Sequence, residues 1–224
     1  MYKHVTHVQT LLTAANAPTE IDSALTECWL RKRPVYVAVP TDVVNVEVDA
    51  PAQPLALSYP ASDPAAVSEC VEKIYSLLTQ ADKPVVLVDV AADRYHMQDL
   101  ILEFLAASGL PFATMSMAKG LLDETHPQFI GLYCGDISAA GVQKRVEESD
   151  CLLSFGQFLS DLNSGGFSAH VNYSVSIEVN CRYTEVQHAL YREVNYLELI
   201  PALTEKIKAA KYRFAGTLGK KSPE

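Results

Sequence analysis

Side chains able to carry chemistry are spread thinly along this chain. The six histidines (His4, His7, His96, His126, His170, His188) include no His-x-x-x-His pair on one helix face and no neighbouring Cys/His cluster, so the spacing a zinc-type ion needs is missing. His4 and His7, three apart near the start, read as surface residues. Ser154, Ser160 and Ser168 lack the glycine frame that lifts a nucleophilic serine onto a sharp elbow. Cys28, Cys70, Cys134, Cys151 and Cys181 form no Cys-x-x-Cys pair and are odd in number, and a chain of 224 residues does not need staples. They read as reduced and mostly buried.

Nucleotide binding fares no better. A bound pyrophosphate needs a glycine-rich first turn so that it can approach a helix N-terminus. The turn here, Ala91-Ala92-Asp93-Arg94-Tyr95-His96, has no glycine. Two other loops are polar. Residues 161–168, Asp-Leu-Asn-Ser-Gly-Gly-Phe-Ser, follow a strand-like run at a place where open parallel sheets put ligand loops. They read either as an anion cradle or, preferably, as a glycine turn that carries the chain across the sheet. Residues 117–127 offer Lys119, Asp123, Glu124 and His126 in a long polar crossing, with no spacing that selects a ligand.

The elements that must position these groups follow from pattern. Residues 18–31 form a helix opened by Pro18, with Ile21, Leu25 and Cys28 on one stripe and Arg31, Lys32 and Arg33 where the dipole favours cations. Pro34 stops it, and the apolar run Val35 to Val39 suits a strand buried on both faces. Residues 46–60, with Pro51, Pro54 and Pro60, read as an extended linker. Asp63-Pro64 then caps a new helix whose stripe is Val67, Cys70, Val71, Ile74, Leu77 and Leu78. After it, strands at 84–90, 111–115, 150–155 and 175–179 alternate with helices through Leu100 to Leu105, at 138–148, and at 196–211 behind Asn195. The expected domain is α/β, a Rossmann-like parallel sheet with helices on both faces. Residues 216–224, with Lys220-Lys221-Ser222-Pro223, read as a linker or frayed end.

Composition sets outer limits. With 49% hydrophobic and 20% charged residues the chain can bury a full core. Its net charge of −9 and 18 scattered basic residues argue against nucleic acid. No apolar run approaches membrane-spanning length, and the opening residues lack a secretory apolar stretch, so a soluble cytoplasmic protein is expected.

Several stretches, in order, resemble the thiamine-diphosphate-dependent pyruvate and indolepyruvate decarboxylases. Residues 33–44, Arg-Pro-Val-Tyr-Val-Ala-Val-Pro-Thr-Asp-Val-Val, are similar to the end of that family's N-terminal, pyrimidine-binding domain. Pro84 to Asp89 is similar to the opening strand of its central domain. Met117-Ala118-Lys119-Gly120, continuing to Gly131-Leu132-Tyr133-Cys134-Gly135, resembles its Met-Gly-Lys-Gly stretch, and 150–168 resembles a strand followed by an Asp-Phe-Asn-Thr-Gly-type loop. The resemblance spans residues 17–211. It implies residues 1–45 as the remnant of a pyrimidine-binding domain, 46–62 as linker, 63–212 as the central α/β domain and 213–224 as tail.

In the full-length family, catalysis requires an N-terminal glutamate that activates the thiazolium of thiamine diphosphate, a His-His pair in the same domain, and a C-terminal Gly-Asp-Gly…Asn-Asn segment that holds magnesium and the diphosphate. This sequence has no His-His and no Gly-Asp-Gly, and Gly135-Asp136 runs on into Ile137. The resemblance therefore implies a fragment of a 2-oxo-acid decarboxylase with no catalytic, cofactor-binding or metal residue of its own, inactive and cofactor-free by itself. It also implies a regulatory, activator-binding seam at Trp29, Arg33, Ala91, Ala92 and Arg94. Ala91 and Ala92 stand where some members carry cysteines, which leaves the arginines to pair with a carboxylate. Implied partners are a pyruvate-like 2-oxo acid in the parent enzyme, and a further copy or a full-length relative. Alternative readings are a non-catalytic regulatory partner of a full-length decarboxylase and a stand-alone nucleotide-binding domain.

Overall fold

The computed structural model describes residues 2–50 and 53–216, which divide into two compact units, Met1–Pro60 and Ala61–Glu224. Residues 217–224, including the Lys220 to Pro223 stretch of the expected tail, and Pro51 of the expected linker lie outside the described residues.

The first unit holds β1 (Gln9–Leu11), α1 (Ala17–Arg31) and β2 (Tyr36–Ala38), after a short 3-10 turn at Tyr2–His4. β1 and β2 pair in parallel with Gln9 opposite Tyr36 and Leu11 opposite Ala38. Pro18 lies in the first turn of α1, and Lys32 ends it in a left-handed conformation, φ 52°. Leu12, Ala17 and Ala24 are the buried apolar residues among those described in this unit. Ile21, Leu25 and Trp29 on α1 are exposed. The strand expected to be buried on both faces is not: Tyr36 is exposed and Val37 and Ala38 are half-buried, because among the described residues only β1 pairs with it and only α1 packs against the pair. So thin a core gives little protection to its hydrogen bonds. Hydrogen exchange measured by mass spectrometry should find the amides of β1 and β2 exchanging at least ~100-fold faster than those of the central strands of the second unit.

The second unit opens on α2 (Pro64–Gln80), where the Asp63 carboxylate accepts the Ala65 N–H at 3.0 Å and Pro64 takes the first helical position. Its buried stripe, Cys70, Val71, Ile74 and Leu78, faces the core. There follow β3 (Pro84–Val88), the short α3 (Val90–Arg94), α4 (Gln98–Ser108), β4 (Phe112–Met115), β5 (Phe129–Tyr133), α5 (Ala140–Glu147), β6 (Cys151–Phe155), β7 (Ser176–Val179), β8 (Thr184–Val186), β9 (Ala189–Tyr191) and α6 (Tyr196–Ala209). Asn195 caps α6, accepting the Leu197 N–H at 3.0 Å.

The seven strands lie in the order β5-β4-β3-β6-β7-β8-β9. β5 through β7 are parallel, the arrangement of a doubly wound sheet, and β8 and β9 add an antiparallel edge. Every residue of β3, β4 and β6 is buried, as strands covered on both faces require. α2 and α4 pack on α6. On the other face α5 places Val142 and Val146 against Val85, Leu87, Ala113, Met115 and Leu152. Each fully buried side chain of this kind contributes roughly 1.5–3 kcal/mol. The α/β class with helices on both faces is as expected; the antiparallel edge is additional. None of the five cysteines is in a disulfide; Cys70, Cys134 and Cys151 are buried, Cys28 and Cys181 half-buried. No helix among the described residues is long and apolar enough to cross a membrane.

Candidate functional site

In an open α/β sheet the ligand crevice lies beyond the carboxyl ends of the strands where the order reverses, here between β3 and β6. That point is occupied by Asp89, which follows the last residue of β3 and is 1% exposed. Its carboxylate accepts the N–H of Val90 at 2.6 Å, the N–H of Phe158 at 2.7 Å and the Asn163 amide at 2.7 and 2.8 Å. Asn163, 0% exposed, donates also to the Phe158 carbonyl at 2.9 Å and accepts the Met117 N–H at 2.9 Å. One carboxylate and one amide thus tie together the turns after β3, β4 and β6.

Burial pushes the Asp89 carboxyl above the ordinary aspartate range, against the opposing pull of the Phe158, Asn163 and Val90 donors and the Arg94 charge. Both oxygens are already engaged, so this carboxylate has no lone pair facing a substrate. The latch is tightened by the backbone. The Ala91 N–H donates to the Gly156 carbonyl at 3.0 Å, and a Cβ on Gly156 would stand 2.1 Å from the nitrogen of Ala92. The loop after β6 is thereby tied across the switch point through Asn163 and Phe158.

That loop decides between the two readings of residues 161–168. The Leu162 N–H donates to Asp161 Oδ1, Asn163 N–H to Ser160 Oγ, and Ser164 N–H to the Ser160 carbonyl. The Gly165, Gly166 and Ser168 N–H groups bond to the carbonyls of Leu162, Asp161 and Ser164, and Phe167 N–H bonds to Ser164 Oγ. With every one of these donors taken, the segment is a self-satisfied glycine turn and offers no anion cradle. Residues 117–127 are likewise closed on themselves: Lys119 Nζ and the Gly120 N–H both donate to Glu124, Thr125 N–H donates to Asp123, and His126 Nδ1 accepts the Gln128 N–H while its ring lies 5.7 Å from that of Phe112. Beside them remains a polar hollow of about 350 Å³, lined by Asp93, Gln98 and Met117–Leu121. The Gln98 amide there is held by the Leu121 carbonyl at 2.7 Å.

The seam residues fall into two groups on separate units. Trp29 is 51% exposed on α1 with Lys32 Nζ 3.8 Å from its ring centroid, and Arg33 is exposed just beyond the helix with no partner among the described residues. Ala91 and Ala92 lie in α3 against Gly156, Ala92 fully buried, and Arg94 is exposed with its guanidinium 5.2 Å from the Phe158 ring. His7 lies 3.1 Å from Glu27, and His4 is exposed. Among the described residues no three His, Cys, Asp or Glu side chains converge as a metal set. Sequence reasoning passed over Asp89 and Asn163. The available signal was an aspartate directly after five buried apolar residues, a place where a carboxylate persists only with donors around it.

Comparison with known proteins places this geometry. Residues 71–206 match the family described as thiamine pyrophosphate enzyme, central domain. The chain is 37% identical over 191 residues to a pyruvate decarboxylase of Aspergillus fumigatus, covering 84% of this chain and 34% of that protein. It is 30% identical over 211 residues to one of Candida albicans (93% and 37%) and 32% identical over 213 residues to one of Kluyveromyces marxianus (94% and 38%). The chain spans about a third of the length of the curated relatives it matches.

Proposed function

Because the chain belongs to the thiamine pyrophosphate enzymes through their central domain, we propose that it supplies the central structural and regulatory domain of a non-oxidative 2-oxo-acid decarboxylase, one that uses thiamine diphosphate and magnesium. The family match over residues 71–206 carries this reading. Likeness to pyruvate decarboxylases supports a pyruvate-like substrate for the whole enzyme. Within it, residues 1–45 close a pyrimidine-binding domain, 46–62 link it to the central domain at 63–212, and 213–224 form a tail.

The described residues do not fit the cofactor. They offer no three-ligand metal set, and the one carboxylate at the switch point is saturated by four hydrogen bonds. We therefore assign thiamine diphosphate, magnesium and the chemical steps to other segments of the enzyme. The glycine-free turn at residues 91–96 also speaks against a stand-alone nucleotide-binding domain. Trp29, Arg33, Ala91, Ala92 and Arg94 are assigned to activator binding, in which each exposed guanidinium, that of Arg33 and that of Arg94, is a candidate partner for a carboxylate. Assembly as a homo-oligomer in the cytoplasm completes the reading.

The test is a chimera in which this chain replaces the corresponding third of the Aspergillus fumigatus enzyme. It should decarboxylate pyruvate, and Arg94→Ala in it should raise the pyruvate concentration for half-maximal rate with kcat unchanged. A folded, cofactor-loaded chimera inactive on every 2-oxo acid tried would refute the assignment.

A further inference from the structure

The face of the sheet that carries α5 changes character from one side to the other. Strand registers put Leu87, Ser154, Glu178, Glu185 and Leu190 in one row across β3, β6, β7, β8 and β9. α5 packs over β5 and β3, where the row is buried and apolar. Toward β9 it opens: Leu190 is 43% exposed, and Tyr183, in the turn before β8, and Tyr173, before β7, are 38% and 50% exposed.

Glu178 and Glu185 stand directly opposite each other in the antiparallel pair, both half-buried. Among the described residues neither carboxylate has a hydrogen bond or an ion pair. Like charges in that relation destabilise a sheet. Beside them on the same face, the hydroxyls of Ser154 (1% exposed) and Ser176 (3% exposed) are buried without a hydrogen-bond partner, which well-packed interiors rarely leave. Tyr183 precedes Glu185 by two residues and so shares its face of the sheet, and Tyr173 opens the turn that leads into β7; burial and then Glu185 raise the Glu178 carboxyl, and burial and then Glu178 raise both phenols.

We propose that the Glu178–Glu185 pair, with Tyr173 and Tyr183 beside it, is a binding site for the guanidinium group of an arginine presented by a partner protein. Two adjacent carboxylates match the planar, forked donors of a guanidinium. A phenol ring attracts the same group through its face. A divalent ion is served less well, since calcium wants six to eight oxygens and magnesium a near-ideal octahedron of them. The overall charge of −9 favours a cationic partner. The site lies outside the seam and the switch-point latch, so it stands or falls independently of the proposed function.

The probe is an acetylated, amidated Gly-Arg-Gly peptide titrated into the chain and followed by amide and tyrosine-ring NMR shifts, with Gly-Gln-Gly peptide and calcium chloride as separate arms. The arginine peptide should shift Glu178, Glu185, Tyr173 and Tyr183, and Glu178→Gln or Glu185→Gln should weaken it at least ~10-fold, the loss expected of a charge-assisted pair. Both variants should stay folded and melt about 2–4 °C above the parent, because like-charge repulsion is relieved. No shift with the arginine peptide, equal shifts with the glutamine peptide, or calcium binding that arginine does not displace would overturn the proposal. A dimer on gel filtration that Glu185→Gln converts to monomer would overturn it too, by making the occupant a second copy.

Discussion

Gly156→Ala should lower the unfolding free energy of the second unit by about 3 kcal/mol, combining overpacking of 1–3 kcal/mol with roughly 1 kcal/mol for a left-handed residue. At 2–4 °C per kcal/mol that is a melting point lower by about 6–12 °C. The residue closes β6 at φ 65°, and an added Cβ would meet backbone only: the nitrogen of Ala92 at 2.1 Å, the carbonyl carbon of Ala91 at 2.7 Å and the Cα of Ala92 at 2.9 Å. No side chain can swing aside, so α3 must move. Gly166→Ala is the matched control. Its φ is 70°, yet nothing lies within 4 Å of the new methyl. It should cost only about 1 kcal/mol. Equal losses in the two variants, measured by urea titration, would mean that the approach of α3 to Gly156 contributes nothing.

Asp89→Ala should be at least as severe, about 4 kcal/mol at neutral pH, because each buried donor left without an acceptor costs roughly 1–3 kcal/mol. The Val90 and Phe158 N–H groups and one N–H of Asn163 lose their acceptor together. Asp89→Asn should rescue little, since its own NH2 would be turned against those donors. The pH dependence has a definite sign. The folded carboxyl titrates above its ordinary value, so folding takes up protons; the added stability is full below about pH 3.9 and is lost as pH rises through the folded value. Glu178 contributes in the same direction. The stability difference between the parent and Asp89→Ala should therefore widen as pH falls from 7 towards 4. A difference that narrows would show that ionised Asp89 is favoured by folding after all.

Regular elements of the second unit were readable because their signals are local. Asp63-Pro64 and Asn195 cap α2 and α6 as their chemistry dictates, and the apolar runs at β3, β4, β6 and β7 are within two residues of the observed strands. What escaped depends on contacts distant in sequence. β5 is broken at its centre by Gly131, required because a Cβ there would stand 2.4 Å from a methyl of Val142 on α5. β8 and β9 are only three residues long each, too short to show a period, and pair in turn onto the edge that β7 offers. α3 starts at Val90, the last residue that reads as strand, and occupies most of what reads as a turn, since Asp89 turns the chain by capping Val90. The Asp89–Asn163 bond joins two turns that the sequence shows only as an apolar run ending in an acid and a glycine-rich loop. Conversely, the apolar run Val35 to Val39 looked like a core strand and is not buried, because burial is decided by what lies over a strand.

The strand order also bears on how this protein is made. β3 is flanked by β4, which follows soon after it, and by β6, which follows only after β5 and α5. On the ribosome, Val85 to Val88 will emerge and acquire one neighbour while the other edge stays bare until residues 151–155 have left the exit tunnel. That bare edge is apolar and free of charge, the kind that recruits other strands. Long-range parallel pairing is also slow to form. A nascent chain paused before Cys151 should therefore be a chaperone client, and premature termination there should give aggregates, whereas chains that have passed Phe155 can close the centre of the sheet.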